Sequence, residues 1–309
     1  MSSEITTAFV QQFSSNVFHL SQQQGSRLRP LVRIERQKGK SAFYDRIGSV
    51  TAALRTGRHA DTPQYDTPHS RRMVTLNDYV HADLIDDSDK IRLLIDPAGD
   101  YSKAFMWAFG RAIDDVIIAA ADGTAYGGET GATSVTLPNA QRIAPISGGA
   151  LVNLNLFGLR LAKSTMDADD VDVSIPRHWA LSASQLSSLL SETQLTSADY
   201  NSIKTLVQGE VDSFMGWKFV RIERLLYDVS GDSASTSTGL VCSGSAMDST
   251  FRRNLAWAQD GLLLSIGEDM MSRISERDDK NYSTQVFCQM SIGATRMEEV
   301  KVIQINCNE

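Results

Sequence analysis

LLIDPAGDYSKAFMWAFGRAIDDVIIAAADG, residues 93–123, is the stretch whose reading decides the fold. Asp96 can cap a helix, Pro97 suits its first turn and Gly123 can close its end. Between them Phe105, Phe109, Ala112, Ile113, Val116, Ile117 and Ala120 recur at helical spacing and form one continuous apolar face. Lys103, Arg111, Asp114 and Asp115 mark the expected wet side. The spacing predicts a helix over 97–121, roughly 37 Å long at about 1.5 Å per residue. A helix of that length can serve as the backbone of a domain.

Upstream, the pattern becomes extended and basic. Leu31–Arg36 and Ser41–Asp45 read as strands flanking a turn at Lys38-Gly39-Lys40. Residues 57–72 hold two prolines and two histidines with almost no aliphatic side chains, so they cannot supply a core of their own. Residues 33–80 therefore read as a long two-stranded excursion with a mobile tip. Charge is polarised along the chain: residues 27–72 carry eleven basic and four acidic side chains, a net +7, whereas residues 73–309 net −13. A cationic arm on an acidic body suits contacts between copies, and equally suits a solvated basic loop. Further upstream, Phe9, Val10, Phe13, Val17 and Leu20 form an amphipathic stripe over residues 5–23, the mark of a helix that covers an apolar surface.

Downstream, residues 123–149 read as turns and short strands, and Leu151–Met166 as a helix. Val171, Val173 and Ile175 alternate as a strand stopped by Pro176. Ser184–Ser191 reads as a short helix and Trp217–Ile222 as a strand. Residues 228–250 are a low-complexity Ser/Thr/Gly loop. Gly261–Ile266, Tyr282–Met290 and Val300–Ile305 finish the chain as strands. With no βαβ alternation and no repeat, the class is α+β.

Composition narrows the function. The 309 residues carry a net charge of −7, which argues against a protein whose whole body clasps nucleic acid. Cys242, Cys288 and Cys307 are odd in number and form no CxxC, which suits a reducing cytoplasm rather than a disulfide framework. The N-terminus has neither a basic n-region nor a continuous apolar h-region, and no stretch approaches the ~20 apolar residues of a membrane span. No phosphate-binding glycine motif, HExxH or GxSxG elbow occurs. The five histidines, His19, His59, His69, His81 and His178, never fall at metal-ligand spacing. Asp86-Asp87, Asp114-Asp115, Asp169-Asp170 and Asp278-Asp279 are adjacent pairs; neighbouring helical residues point about 100° apart, so solvated faces are the better reading than acid/base dyads. No catalytic, cofactor or metal site is expected.

The order of these features resembles the major capsid protein of tailed bacteriophages, the Hong Kong 97 fold, in the branch without a fused scaffolding domain. The resemblance rests on the N-terminal arm, the basic two-stranded loop and the long helix opened by Leu93–Pro97. It continues through Gly216-Trp217-Lys218-Phe219, Ile274–Lys280, Ile292-Gly293-Ala294-Thr295-Arg296 and the final strand. It covers nearly the whole chain, through order and spacing rather than one invariant motif.

The resemblance implies an N-terminal arm at 1–32, an extended E-loop at 33–80, a P-domain at 81–145 and 265–299 around the spine helix, and an A-domain at 146–264 and 300–309. It implies a non-enzymatic virion protein made in the bacterial cytoplasm, which self-assembles from hexamers and pentamers into an icosahedral shell around double-stranded DNA, without sequence-specific contact. The implied partners are further copies of itself, a portal, and scaffolding, decoration or cement proteins, with no membrane. Lys38, Lys40, Arg46, Arg55, Arg58, Arg71 and Arg72 are the expected inter-subunit contacts. Some members weld a loop Lys to an Asn; Lys38 or Lys40 with Asn306 or Asn308 suits that chemistry, although salt-bridging lysines and strand-end asparagines are the plainer reading. A nanocompartment shell of the same fold and an unrelated α+β enzyme are the alternatives.

Overall fold

The computed structural model describes residues 20–54, 57–58, 64–85, 98–147, 150–191, 213–228 and 251–309. In chain order the elements begin with β1 (Arg33–Arg36), β2 (Ser41–Ile47), β3 (His69–Thr75), β4 (Asn77–Ile85) and helix α1 (Ala98–Asp122). The short strands β5 (Ala125–Gly127), β6 (Thr133–Val135), β7 (Arg142–Ile143), β8 (Ile146–Ser147) and β9 (Ala150–Leu151) follow. Then come α2 (Leu156–Ala168), β10 (Arg177–Leu181), α3 (Ala183–Ser191), β11 (Ser213–Phe214), β12 (Trp217–Arg221) and β13 (Tyr227–Asp228). Four strands end the chain: β14 (Phe251–Ala258), β15 (Leu262–Arg277), β16 (Ser283–Arg296) and β17 (Val302–Asn308). The chain forms two units, one of Met1–Ser26, Asp78–Ala112 and Glu268–Ser291, the other of Arg27–Asn77, Ile113–Gly267 and Ile292–Glu309.

In the smaller unit, Phe105 and Phe109 of α1 are buried on the predicted face. His81 of β4 stands edge-on to Phe105 with ring centroids 4.2 Å apart. β16 lies between β15 and β4 and turns Val286, Cys288 and Met290 inward. Gly110 sits where the helix leaves no room for a side chain: a Cβ there would lie 2.5 Å from the Gly25 carbonyl carbon. Arg111 secures the same crossing, donating to Gln22 Oε1 at 2.9 Å and to the Gln23 carbonyl at 3.1 Å.

The larger unit is organised on a sheet of order β11-β12-β10-β14-β17-β7, with β13 on β14. One face of this sheet meets α2 and α3 in a core of Leu159, Ala162, Met166, Leu189, Trp179, Trp217, Ala256, Ile303 and Ile305. Trp179 and Trp217 meet edge to face at 5.2 Å. Each such fully buried large apolar side chain stabilises the fold by about 1.5–3 kcal/mol. Asn155 caps α2, its side chain accepting from the Gly158 N–H at 2.9 Å. From β14, Trp257 donates to the Leu31 carbonyl at 3.1 Å and Arg253 pairs with Asp122 at the end of α1.

Several expectations need correction. Residues 171–175 are not a strand: Asp172 accepts the Ser174 N–H in a turn and Val173 is 78% exposed. The strand lies just beyond, in Arg177–Leu181, where burial on every residue erases the alternation that marks a half-exposed strand. Asp114 is not on a wet face; it is fully buried. Both strands expected to flank the Lys38–Lys40 turn are present, β1 running parallel to β15 and β2 antiparallel to β3. The helix expected from Leu151 begins at Leu156. β15 and β16 extend well past the predicted limits, and β14 had no counterpart among the predicted strands. The amphipathic arm up to His19, Asp96, Pro97 and residues 229–250 lie outside the described residues.

Candidate functional site

The basic excursion is a hairpin with two different faces. β2 and β3 pair from Ser41↔Thr75 to Ile47↔His69, and the Gly48 N–H to Pro68 carbonyl bond, 2.9 Å, closes the ladder. Strand alternation sends Tyr44 and Arg46 of β2, and Arg72 and Val74 of β3, to the inner face. Tyr44 packs with Val74, Leu263 and Met297, and its hydroxyl lies 3.0 Å from Ser265 Oγ. Ser265 in turn donates to Gln37 Oε1 at 2.7 Å. The root of the hairpin is thereby joined to the body of its own unit.

The inner arginines converge on one carboxylate. Arg72, 2% exposed, pairs with Glu299 and reaches the Met297 carbonyl at 3.5 Å. Arg46 also donates to the Met297 carbonyl and lies 3.8 Å from Glu299. Arg296, fully buried, lies 3.7 Å from Glu299 and donates to the carbonyls of Ala121, Gly123 and Val135. The first two carbonyls belong to the C-terminal end of α1, where the helix dipole favours a cation. Burial pulls the pKa of both Arg72 and Arg296 down, and the charge of Glu299 opposes that shift.

Among the described residues the outer face carries exposed apolar side chains beside one ion pair. Phe43 is 40% exposed and Ile47 70%, and Tyr126 of β5, opposite Met73 on β3, is 48% exposed. Between them the Asp45–Arg71 cross-strand pair spans 2.7 Å. Past the last ladder pair, Val50, Leu54 and Tyr65 are exposed as well. Large apolar side chains exposed on one strand face suit a surface that a second surface covers.

The seven basic residues expected at an interface thus divide. Lys38 and Lys40 are exposed at the turn, where Gly39 adopts φ +93°, and Arg58 is exposed. Arg71 is exposed but paired with Asp45, while Arg46 and Arg72 direct their charge into their own subunit. Arg55 lies outside the described residues. Asn306 and Asn308 are half-buried on β17, the Asn306 side chain accepting from Gln304 at 2.9 Å.

The acidic pairs take structural partners. Asp114 accepts the N–H groups of Arg27 and Leu28, and Asp115 pairs with Arg224. Asp169 accepts from Gln141, and Asp279, held by Arg277, has its pKa lowered to about 2. Asp86 and Asp87 lie outside the described residues. His178 is buried against Trp257, and burial with nearby Lys218 lowers its pKa. Among the described residues no His, Cys, Asp and Glu cluster has the arrangement of a metal site, and no helix is long and apolar enough to cross a membrane.

Sequence reading missed Glu299 and Arg296, because their partners lie as far as 227 and 175 residues away in the chain. Gly110 did carry a signal, a glycine inside a strongly periodic helix.

A family model described as phage capsid protein matches residues 5–309. The capsid protein of cyanophage P-SCSP1u is similar in structure with a TM-score of 0.72 at 17% identity, covering 99% of this chain and 95% of that one. The capsid of cyanophage Pam1 gives 0.73 at 14%, covering 98% and 97%. The head structure of Helicobacter pylori bacteriophage KHP40 gives 0.73 at 10%, covering 99% and 98%. No curated protein matches the sequence.

Proposed function

The chain belongs to the phage capsid protein family, and from that premise we propose that it is the major shell subunit of a tailed phage, closing with copies of itself into an icosahedral container for double-stranded DNA. The observation that carries this reading is the hairpin's outer face, where Phe43, Ile47 and Tyr126 stand exposed over a root fastened to its own subunit. A fastened root and exposed apolar side chains are what a subunit needs to present one fixed surface to a neighbour.

Assembly then follows from weak contacts repeated. Lys38, Lys40 and Arg58 reach the acidic surface of an adjacent copy, and each exposed pair contributes about 0.2–1 kcal/mol. Single contacts of that size break and reform, so misplaced subunits can leave, while closure over many copies makes the whole cooperative. Hexamers and pentamers are the natural rings of such a shell. A portal, with scaffolding, decoration or cement proteins, completes the partner set, and DNA is enclosed without sequence-specific contact. The functional division follows the sequence reading: arm 1–32, E-loop 33–80, P-domain 81–145 and 265–299, A-domain 146–264 and 300–309.

Negative-stain microscopy of the purified protein tests the reading. Closed particles are expected, and a monodisperse monomer at every concentration and salt would overturn it. Lys38→Glu with Lys40→Glu is expected to abolish particles while leaving folded subunits; unaltered particles would remove those lysines from the interface.

A further inference from the structure

We infer that Glu299 is the positioning residue for the hairpin: it receives one arginine from each strand and thereby sets the direction in which the hairpin leaves its subunit. The inference rests on the shell reading above and deepens it. Arg46 comes from β2 and Arg72 from β3, so a carboxylate shared by both fixes the rotation of the ladder about its own axis as well as its tilt. A pair from one strand alone would leave that rotation to the β3–β5 ladder and the Tyr44–Ser265 contact. The 3₁₀ turn Glu299–Lys301 that carries Glu299 joins β16 to β17 and is itself fixed from below by Arg296. Arg296 binds the closing carbonyls of α1 and the Val135 carbonyl, so the anchor is tied to the end of that helix.

Glu299 suits this role by its setting. It is 17% exposed, so its ion pairs are screened less than those on an open surface. The Met297 carbonyl, two residues before it, takes one donor from each of Arg46 and Arg72. Tyr44 and Val74 supply apolar contact on the same inner face, which holds the root in place but specifies direction weakly. The outer face, with Phe43 and Ile47, follows the inner face rigidly because the two alternate along the same strands. A small rotation at Glu299 therefore moves the contact surface presented to the next copy. A regular shell closes only where that surface is presented within a narrow range of directions, since neighbouring hairpins must still meet.

The test compares Glu299→Gln with Arg46→Met in the full-length chain. Glu299→Gln keeps the shape and an acceptor for Arg72 while removing the charge. The expected result is folded subunits with unchanged far-ultraviolet circular dichroism. Amide exchange in residues 41–47 and 69–75 is expected to rise at least about tenfold, the lower end of what a hydrogen bond to a charged group contributes. Particles are expected to show a broadened distribution of diameters or open sheets. Arg46→Met leaves Glu299 with Arg72 and Arg296, and is expected to broaden the diameters with a smaller rise in exchange. If Glu299→Gln does not fold, Arg46→Met decides alone. Particles of uniform wild-type diameter from the folded variants overturn the inference. Wild-type protein that forms no particles overturns the shell reading instead.

Discussion

Asp114 and Asp115 are neighbours in the sequence, yet their replacement by alanine should have very different effects. Asp114 is fully buried and takes two backbone donors, the Arg27 N–H at 3.1 Å and the Leu28 N–H at 3.0 Å. Asp114→Ala leaves both donors without their carboxylate in a site where Leu28 is 1% exposed. A buried donor stripped of its acceptor costs about 1–3 kcal/mol, so the pair should lose about 2–6 kcal/mol. Asp115 meets Arg224 at 2.6 Å, but the two side chains are 43% and 40% exposed. Screened pairs of this kind are worth about 0.2–1 kcal/mol, and Asp115→Ala should cost no more. Urea unfolding of unassembled subunits, followed by fluorescence of the buried Trp179, Trp217 and Trp257, measures both on one scale. Asp114→Asn should fall between them, since the amide keeps one acceptor oxygen and loses the charge. If Asp114→Ala and Asp115→Ala agree within 1 kcal/mol at equal m-values, the anchoring of residues 27–28 by this carboxylate is refuted.

Two further outcomes are expected. Gly110→Ala should destabilise the subunit, because the new Cβ meets backbone at 2.5 Å and the clash outweighs the ~1 kcal/mol by which alanine favours a helix; faster amide exchange over residues 20–26 would accompany it, and a stabilised protein with unchanged exchange would contradict the crossing at Gly110. His178 gives the fold an acid sensitivity: its folded-state pKa is lowered from 6.5 by burial, so the unfolded chain takes up the proton first and stability, full above about pH 6.5, falls as pH drops toward the lowered value. His178→Gln should flatten the dependence of the urea midpoint between pH 7.5 and 5.5, and an equal slope in both proteins would assign the effect elsewhere.

The Lys38 and Arg72 positions show how reading and structure relate. Both lie in one basic stretch, and charge along the sequence treats them alike. Strand alternation in β3 turns Arg72 inward to Glu299, whereas Lys38 sits in an exposed turn. The two-residue period is visible in a sequence, but which phase faces the body depends on what the body places there. The same holds for Asp114, where a charged residue on a helix suggests water until a chain from 86 residues away supplies N–H donors. Arg177–Leu181 escaped recognition for a related reason: a strand buried on both faces carries no alternation to see.

From residue order alone came the spine helix, the two-stranded basic excursion, the α+β class and the resemblance to phage capsid proteins. Helical and strand periods are local, and a 25-residue apolar face survives almost any context. The tertiary structure alone decided which charges are spent inside the subunit, where the arm crosses the helix, and that Phe43 and Ile47 stand exposed on the hairpin's outer face. Those outcomes depend on groups brought together from distant parts of the chain, whose desolvation and hydrogen bonding exist only once the fold has formed.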